Sequence, residues 1–172
     1  MFRSHRLARQ AGRRYAPELS RPQTHGDLVT DSPPARRDGA GDIRELAVQD
    51  LARSKDFFTK IGFSSNEGFS DPNTACMIIS DDTWAMLVAE PSFKSFTQRE
   101  IADTSNSSEV IVGLSTDSRQ QVDDLADKAV AAGAEALGGA FDDGVMYMRG
   151  FRDLDGHQWS FLHLDMSALP AQ

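Results

Sequence analysis

The side chains that most often hold a metal, move a proton or attack a substrate are histidine, cysteine and carboxylates brought close together. This chain has 4 histidines and 1 cysteine. His5 and His25 fall in the first 41 residues, while His157 and His163 lie six apart in HQWSFLHL. Six residues of strand span ~20 Å, too far for both rings to reach one ion. Alternation sets His157, Trp159, Phe161 and His163 on one face and Gln158, Ser160, Leu162 and Leu164 on the other. The aromatic face is the one expected to pack under helices, with His157 in a turn hydrogen bond and His163 at the edge of the core. Cys76 sits between Ala75 and Met77 and reads as a small buried hydrophobe. A single cysteine excludes an internal disulfide framework and a thiolate cluster, and sets a reducing, cytoplasmic setting as the expectation. No GxSxG, phosphate-cradling glycine loop or CxxC is present. Asp153-Leu154-Asp155-Gly156 and Asp142-Asp143-Gly144 read as turns, and Asp123, Asp124 and Asp127 as a solvated helix face.

The elements that must position these groups begin at Asp42. Residues 1 to 41 hold 8 Lys/Arg against 4 Asp/Glu and the remainder 10 against 22, so a +4 segment precedes a −12 one. The first segment is rich in Arg, Pro and Gly and poor in large apolar residues, and reads as a disordered basic extension. Its Arg-rich first half reads either as an organelle-targeting segment or as a solvated tail or mis-assigned start. The acidic remainder argues against binding nucleic acid or anionic lipid, and no apolar run approaches the ~20 residues of a membrane helix.

From Asp42 one pattern occurs twice. DIRELAV reads as a strand. QDLARSKDFFTKI follows as a helix, with Leu51, Ser54, Phe57, Phe58 and Ile61 inward and Gly62 as its stop. FSSNEGFS, ACMIIS and TWAMLVAE follow as strands. EVIVGLS, the helix SRQQVDDLADKAVAAG with Val122, Leu125, Ala129 and Val130 inward, and then AEALGGA, VMYMRGF and HQWSFLHL repeat the order. Each half is βαβββ. EPSFKSFTQREIADT reads as a loop between them.

This duplication, with the words LAVQDLARSKDFFTKIGF, ACMIISDDTWAMLVAEPSFKSFT and FRDLDGHQW, resembles the vicinal oxygen chelate superfamily of glyoxalase I, bleomycin-resistance proteins and extradiol dioxygenases. It is most similar to the small bacterial proteins labelled predicted lactoylglutathione lyases. The resemblance implies an α+β fold of tandem βαβββ modules forming a half-open barrel, with helices outside and a cavity inside. The expected layout is a domain over 42–166, with modules at about 42–90 and 109–165, and a tail at 167–172. In the family's metalloenzymes, ligands hang on the first and fourth strands of each half, and carried onto this sequence those positions fall at Ile43, Leu87, Ile111 and Ser160. Two isoleucines and a leucine offer no lone pairs, and one neutral hydroxyl cannot hold a divalent ion, so no metal cofactor is expected. Shifting register by two, which keeps the strand face, would bring in Glu45, Glu109 and Gln158, but in different directions along the strands.

The implied cavity lining is Ile43, Glu45 and Ala47; Ala85, Leu87 and Ala89; Glu109, Ile111, Gly113 and Ser115; and Gln158, Ser160 and Leu162. An apolar, small-residue lining with a few polar groups suits a small organic ligand. Glu45 could pair with a cationic group or act as a base, or could sit in water or pair with Arg44 or Arg149. Phe93 and Phe96 could close over the cavity with Lys94 offered to an anion, or simply plug the barrel end. Arg149, on one face with Tyr147 and Phe151, could clamp a carboxylate or phosphate, or pair with an acid of the chain. The ligand-binding candidates are thus Glu45, Leu87, Phe93, Lys94, Phe96, Ile111, Gly113, Arg149, Gln158 and Ser160. The resulting expectation is a metal-independent small-molecule-binding homodimer. The alternative is a lactoylglutathione lyase-like or dioxygenase-type enzyme with a non-standard site.

Overall fold

The computed structural model describes residues 41–168. The basic extension expected over 1–41 therefore lies outside the described residues except for Gly41, and the 167–172 tail is described only as far as Ala168, in a 3-10 turn over Met166–Ala168. The first module runs β1 (Asp42–Val48), α1 (Leu51–Ile61), β2 (Ser64–Asp71), β3 (Thr74–Ser80) and β4 (Thr83–Ala89). Helix α2 (Glu90–Thr97) leads toward the second module, made of β5 (Ile111–Ser115), α3 (Arg119–Ala131), β6 (Glu135–Asp142), β7 (Met146–Arg152) and β8 (Gln158–Leu164). The strands form two four-stranded mixed sheets, ordered β1-β4-β3-β2 and β5-β8-β7-β6, and the edge pair of each, β1 with β4 and β5 with β8, is parallel. The sheets do not close on one another, which leaves the barrel half-open.

Local chemistry fixes the helix ends. Asp50 caps α1 by accepting from Arg53 N at 3.0 Å, and Ser118 caps α3 by accepting from Gln121 N at 3.2 Å. Gly62 ends α1 at φ +113°, a left-handed conformation that costs a side-chain-bearing residue more than it costs glycine. Two sequence expectations change here. The segment EPSFKSFT is helical rather than a loop, with Pro91 in its first turn and Gln98 closing it in a left-handed cap. Within α3, Ala126 is buried while Val130 is 43% exposed, because helical spacing from Val122 turns Val130 off the sheet.

One face of each sheet lies under a helix. In the first sheet, Leu46, Val48, Ala75, Met77, Ala85 and Leu87 pack with Phe57, Phe58 and Ile61 of α1. In the second, Val112, Phe151, Trp159 and Phe161 pack with Val122, Ala126 and Ala129 of α3. Both sets belong to one core, joined across the modules by Phe58–Trp159 (ring centroids 5.0 Å), Phe57–Phe151 (6.3 Å) and Phe63–Phe161 (6.5 Å). The helix-bearing faces are thus consumed by packing, and any site on the strands must lie on the opposite, open faces.

Candidate functional site

In-register residues of neighbouring strands point to the same side of a sheet, so the pairing spells out each open face as rows. On the first sheet the rows are Ile43–Trp84–Ile78, Glu45–Met86–Cys76 and Ala47–Val88–Thr74. On the second they are Ile111–Gln158–Arg152–Glu135, Gly113–Ser160–Gly150–Leu137 and Ser115–Leu162–Met148–Phe141. Ile43 and Ile111 are more than half exposed, whereas Ala47, Cys76, Val88 and Ser160 on the same faces are buried, and α2 packs on β1 and β4.

Several site candidates fall where the sequence placed them. Glu45 is exposed on the open face of β1, and among the described residues it has no ion-pair partner: Arg44 pairs with Asp42 at 3.2 Å and Arg149 with other acids. Ile111 and Gly113 are exposed on β5, and Gln158 is half-buried beside Ile111, its Oε1 accepting from Ser108 Oγ at 3.5 Å. Ser160 is only 5% exposed, and no described residue hydrogen-bonds its hydroxyl.

Others do not. Leu87 is fully buried in the core beneath α1, in register with Leu46, so the open face of β4 carries Trp84, Met86 and Val88 rather than Ala85, Leu87 and Ala89. Arg149 lies on the helix side of β7. Its guanidinium is 2.8 Å from Asp127 Oδ1 and 3.2 Å from Asp123 Oδ1 on α3, and Tyr147 donates to that same Asp123 oxygen at 2.9 Å. It is engaged in tying β7 to α3 and is not a ligand clamp. Lys94 pairs with Glu100 at 2.8 Å, Phe93 is half-buried and Phe96 is 63% exposed, so the two rings do not jointly close a cavity.

The turn at 153–157 does more than sequence reading assigned to it. Asp153 Oδ1 accepts from Asp155 N at 3.0 Å and His157 N at 2.9 Å, and Oδ2 accepts from Trp159 Nε1 at 2.8 Å. Burial pushes the Asp153 carboxyl above its ordinary range, against the opposing pull of the His157 charge and of these hydrogen bonds. Asp155 reaches the first module, accepting from Gln49 N at 3.0 Å, Arg53 Nη2 at 3.3 Å and Ser54 Oγ at 2.5 Å. His157 is buried, and its Nε2 donates to Ala47 O at 2.6 Å, again across modules. Its Nδ1 lies 2.6 Å from Glu109 Oε1, a close contact too poorly aligned to count as a hydrogen bond. Nε2 is therefore taken up by Ala47, while Nδ1 is buried beside Glu109 without a hydrogen bond. Beside it opens a cleft of about 550 Å³ bounded by Ala47, α2, Ile101–Thr104 and the turn.

The open-face side chains do not suit a metal. On β1, β4, β5 and β8 they amount to one carboxylate, one amide, one thioether and serine hydroxyls, spread over two sheets, where a divalent site needs several anionic or imidazole donors. Among the described residues no group of three or more His, Cys, Asp or Glu is placed to hold an ion.

A family model described as the Glyoxalase/Bleomycin resistance protein/Dioxygenase superfamily matches residues 42–161. Among solved structures, the hypothetical protein SA1046 from S. aureus is 26% identical with a TM-score of 0.63, over 74% of this chain and 95% of that one. A glyoxalase/bleomycin resistance protein/dioxygenase from Nocardioides is 20% identical (TM-score 0.60; 84% and 92% covered). The fosfomycin resistance protein FosX from Listeria monocytogenes is 17% identical (TM-score 0.55; 80% and 97% covered). No curated protein matches the chain.

Proposed function

Since this chain belongs to the glyoxalase/bleomycin resistance protein/dioxygenase superfamily, we propose that it binds a small organic molecule on its open sheet faces without a metal. The observation that carries this reading is the composition of those faces: Trp84, Met86, Ile111, Met148 and Leu162 supply apolar and polarisable surface, with Glu45, Gln158 and Ser160 as sparse polar groups. The exposed open faces also support a homodimer in which a second copy completes the enclosure, and the single cysteine supports a cytoplasmic setting. Glu45, a carboxylate with no ion-pair partner among the described residues, favours one second reading: a lyase or dioxygenase-type enzyme that uses it as a base.

A thermal-shift screen of aromatic, dicarbonyl and cationic compounds, with product analysis on every hit, separates the two. A stabilising compound recovered unchanged supports binding. A compound transformed by wild type but merely bound by Glu45→Gln refutes the binder reading. Metal analysis of protein purified without chelators tests the other half, since near-stoichiometric metal that survives dialysis would overturn metal independence.

A further inference from the structure

The cleft beside His157 is walled by the end of β1, by α2, by the segment that follows α2 and by the turn before β8. Only Ala47 comes from the open-face rows, so the cleft belongs to the junction of the two modules. Its volume of about 550 Å³ falls within the ~300–1,000 Å³ of small-molecule pockets. Charge chooses the occupant. Glu90, Glu100, Asp103 and Asp155 border the cleft against a single cation, Lys94. These acids are not equivalent. Asp103 accepts from Ser105 Oγ at 2.6 Å and from Asn106 Nδ2 at 2.8 Å, and Asp155 accepts from Gln49, Arg53 and Ser54, so both spend their oxygens inside the chain. Glu100 pairs with Lys94 at 2.8 Å, but the two side chains are 86% and 54% exposed, which makes the contact worth little in water. Glu90, in the first turn of α2, is half-buried and has no hydrogen bond or ion pair among the described residues.

A surplus of acids alone would mean little. The independent sign is His157, which is 3% exposed and forms part of the cleft wall. Its Nδ1 is the one buried side-chain nitrogen or oxygen among the described residues without a hydrogen bond. Since Nε2 donates to Ala47 O, the neutral ring presents Nδ1 as an acceptor, and it faces a second acceptor, Glu109 Oε1, at 2.6 Å. Acceptors crowded in this way leave the wall short of donors. An ammonium group supplies three donors, a positive charge and no acceptor. Pro91, Ile101 and Ala102 line the remainder and suit a compact apolar body.

We infer that this cleft is a second binding site, separate from the open sheet faces, and that it takes a small primary ammonium on a compact apolar body, with Glu90 as the counter-charge and the His157 wall as an acceptor. It does not depend on what the open faces bind.

The test is an NMR titration of the full chain with cyclohexylammonium. Cyclohexanol (the same ring, neutral) and cyclohexanecarboxylate (the same ring, anionic) serve as controls. Cyclohexylammonium should shift the Gln49, Ile101, Ala102 and Thr104 amides and the His157 ring nitrogens, and bind about 10-fold more tightly than cyclohexanol, the scale of one charge-assisted hydrogen bond. Glu90→Gln should bring it down to the cyclohexanol level. Lys94→Ala should tighten it roughly 3-fold, by removing a like charge and releasing Glu100. Ala102→Trp, at an exposed position, should fill the cleft and block the ligand while the chain stays folded. Cyclohexanecarboxylate bound as tightly as the ammonium, or no shift of the cleft amides at about 10 mM ligand, overturns the inference. So does binding that survives Glu90→Gln; where Glu45→Gln removes it instead, the cation sits on the open face and the binder reading stands without the second site.

Discussion

Asp155 offers the sharpest test of how the two modules hold together. Its carboxylate is 3% exposed and takes three donors from the β1–α1 junction: Gln49 N, Arg53 Nη2 and Ser54 Oγ. Asp155→Ala removes all three acceptors, but the donors differ in what they lose. Arg53 is about half exposed and keeps Leu154 O at 2.9 Å, and Ser54 keeps Asp50 O at 3.0 Å, so water and existing bonds soften both losses. The Gln49 N–H is left in a partly buried place with no acceptor, at ~1–3 kcal/mol, and the lost pairing with Arg53 adds up to about 1 kcal/mol. Asp155→Asn is different in kind. The amide oxygen can still accept from Gln49, and the amide NH₂ can donate to Ser54 Oγ, whose own proton goes to Asp50 O. Only the charge is lost, at about 0.5–1 kcal/mol. With an unfolding entropy near 2.1 cal/mol/K per residue over roughly 130 residues, 1 kcal/mol shifts Tm by about 4 °C. Asp155→Ala should lower Tm by about 4–15 °C and Asp155→Asn by about 2–4 °C, read by calorimetry and by denaturant unfolding at neutral pH. Equal damage from the two variants would refute the hydrogen-bond assignment, and a loss under 1 °C in Asp155→Ala would refute the clamp itself.

The raised Asp153 carboxyl predicts a pH dependence of definite sign. A buried acid whose folded pKa exceeds its unfolded value contributes most below the ordinary Asp range near 3.9 and loses that contribution as pH rises through the folded value. Asp153→Asn should be less stable because its amide NH₂ meets the Trp159 N–H, and its deficit against wild type should narrow as pH rises from about 4; a deficit that widens contradicts the assignment. Purified protein should hold no stoichiometric Zn, Ni, Mn or Fe and leave the methylglyoxal–glutathione hemithioacetal unconverted, as elemental analysis and a spectrophotometric assay would show. Light scattering at micromolar concentration should give a dimer mass, and a monomer would remove the proposed enclosure by a second copy. Glu45→Gln should weaken a cationic ligand if Glu45 is a counter-ion, whereas a loss of ~10²–10⁴ in rate with binding intact would mark it as a base.

What the sequence disclosed and what it hid follow from the range of the interactions. The order of elements was legible because α1 and α3 carry their own stops and apolar spacing, and the strands between them are bounded by turn residues. Helix α2 was missed because EPSFKSFT is short and has no side-chain N-cap bond, so its helical state rests on Pro91 and on packing against β1 and β4. The open face of β5 and β8 was readable because Trp159 and Phe161 contrast with Ser160 and Gln158. In TWAMLVA both faces are apolar, Trp84–Met86–Val88 on one and Ala85–Leu87 on the other, so alternation alone cannot say which faces the helix. Only the pairing of Leu46 with Leu87 decides it. The contacts of His157 with Ala47 and of Asp155 with Gln49 join residues more than 100 positions apart, and no local pattern signals them.

The corrected face of β4 bears directly on the metal question, because one of the four positions the sequence argument rested on, Leu87, is in the core. Its replacements in register are Met86 beside Glu45 and Trp84 beside Ile43. Pairing Glu45 with Met86 gives one carboxylate and one thioether, a mismatch in hardness for Mg, Mn or Fe(II) and at least two imidazole, thiolate or carboxylate donors short for Zn. The second sheet cannot make up the difference by a register step of two, since β5 offers Ile111, Gly113 and Ser115 and β8 offers Gln158, Ser160 and Leu162, all without charge. Glu109, the nearest carboxylate before β5, already lies 2.6 Å from the buried His157 Nδ1. At the observed pairings the open faces of these described strands therefore do not bring together the donors a divalent site needs.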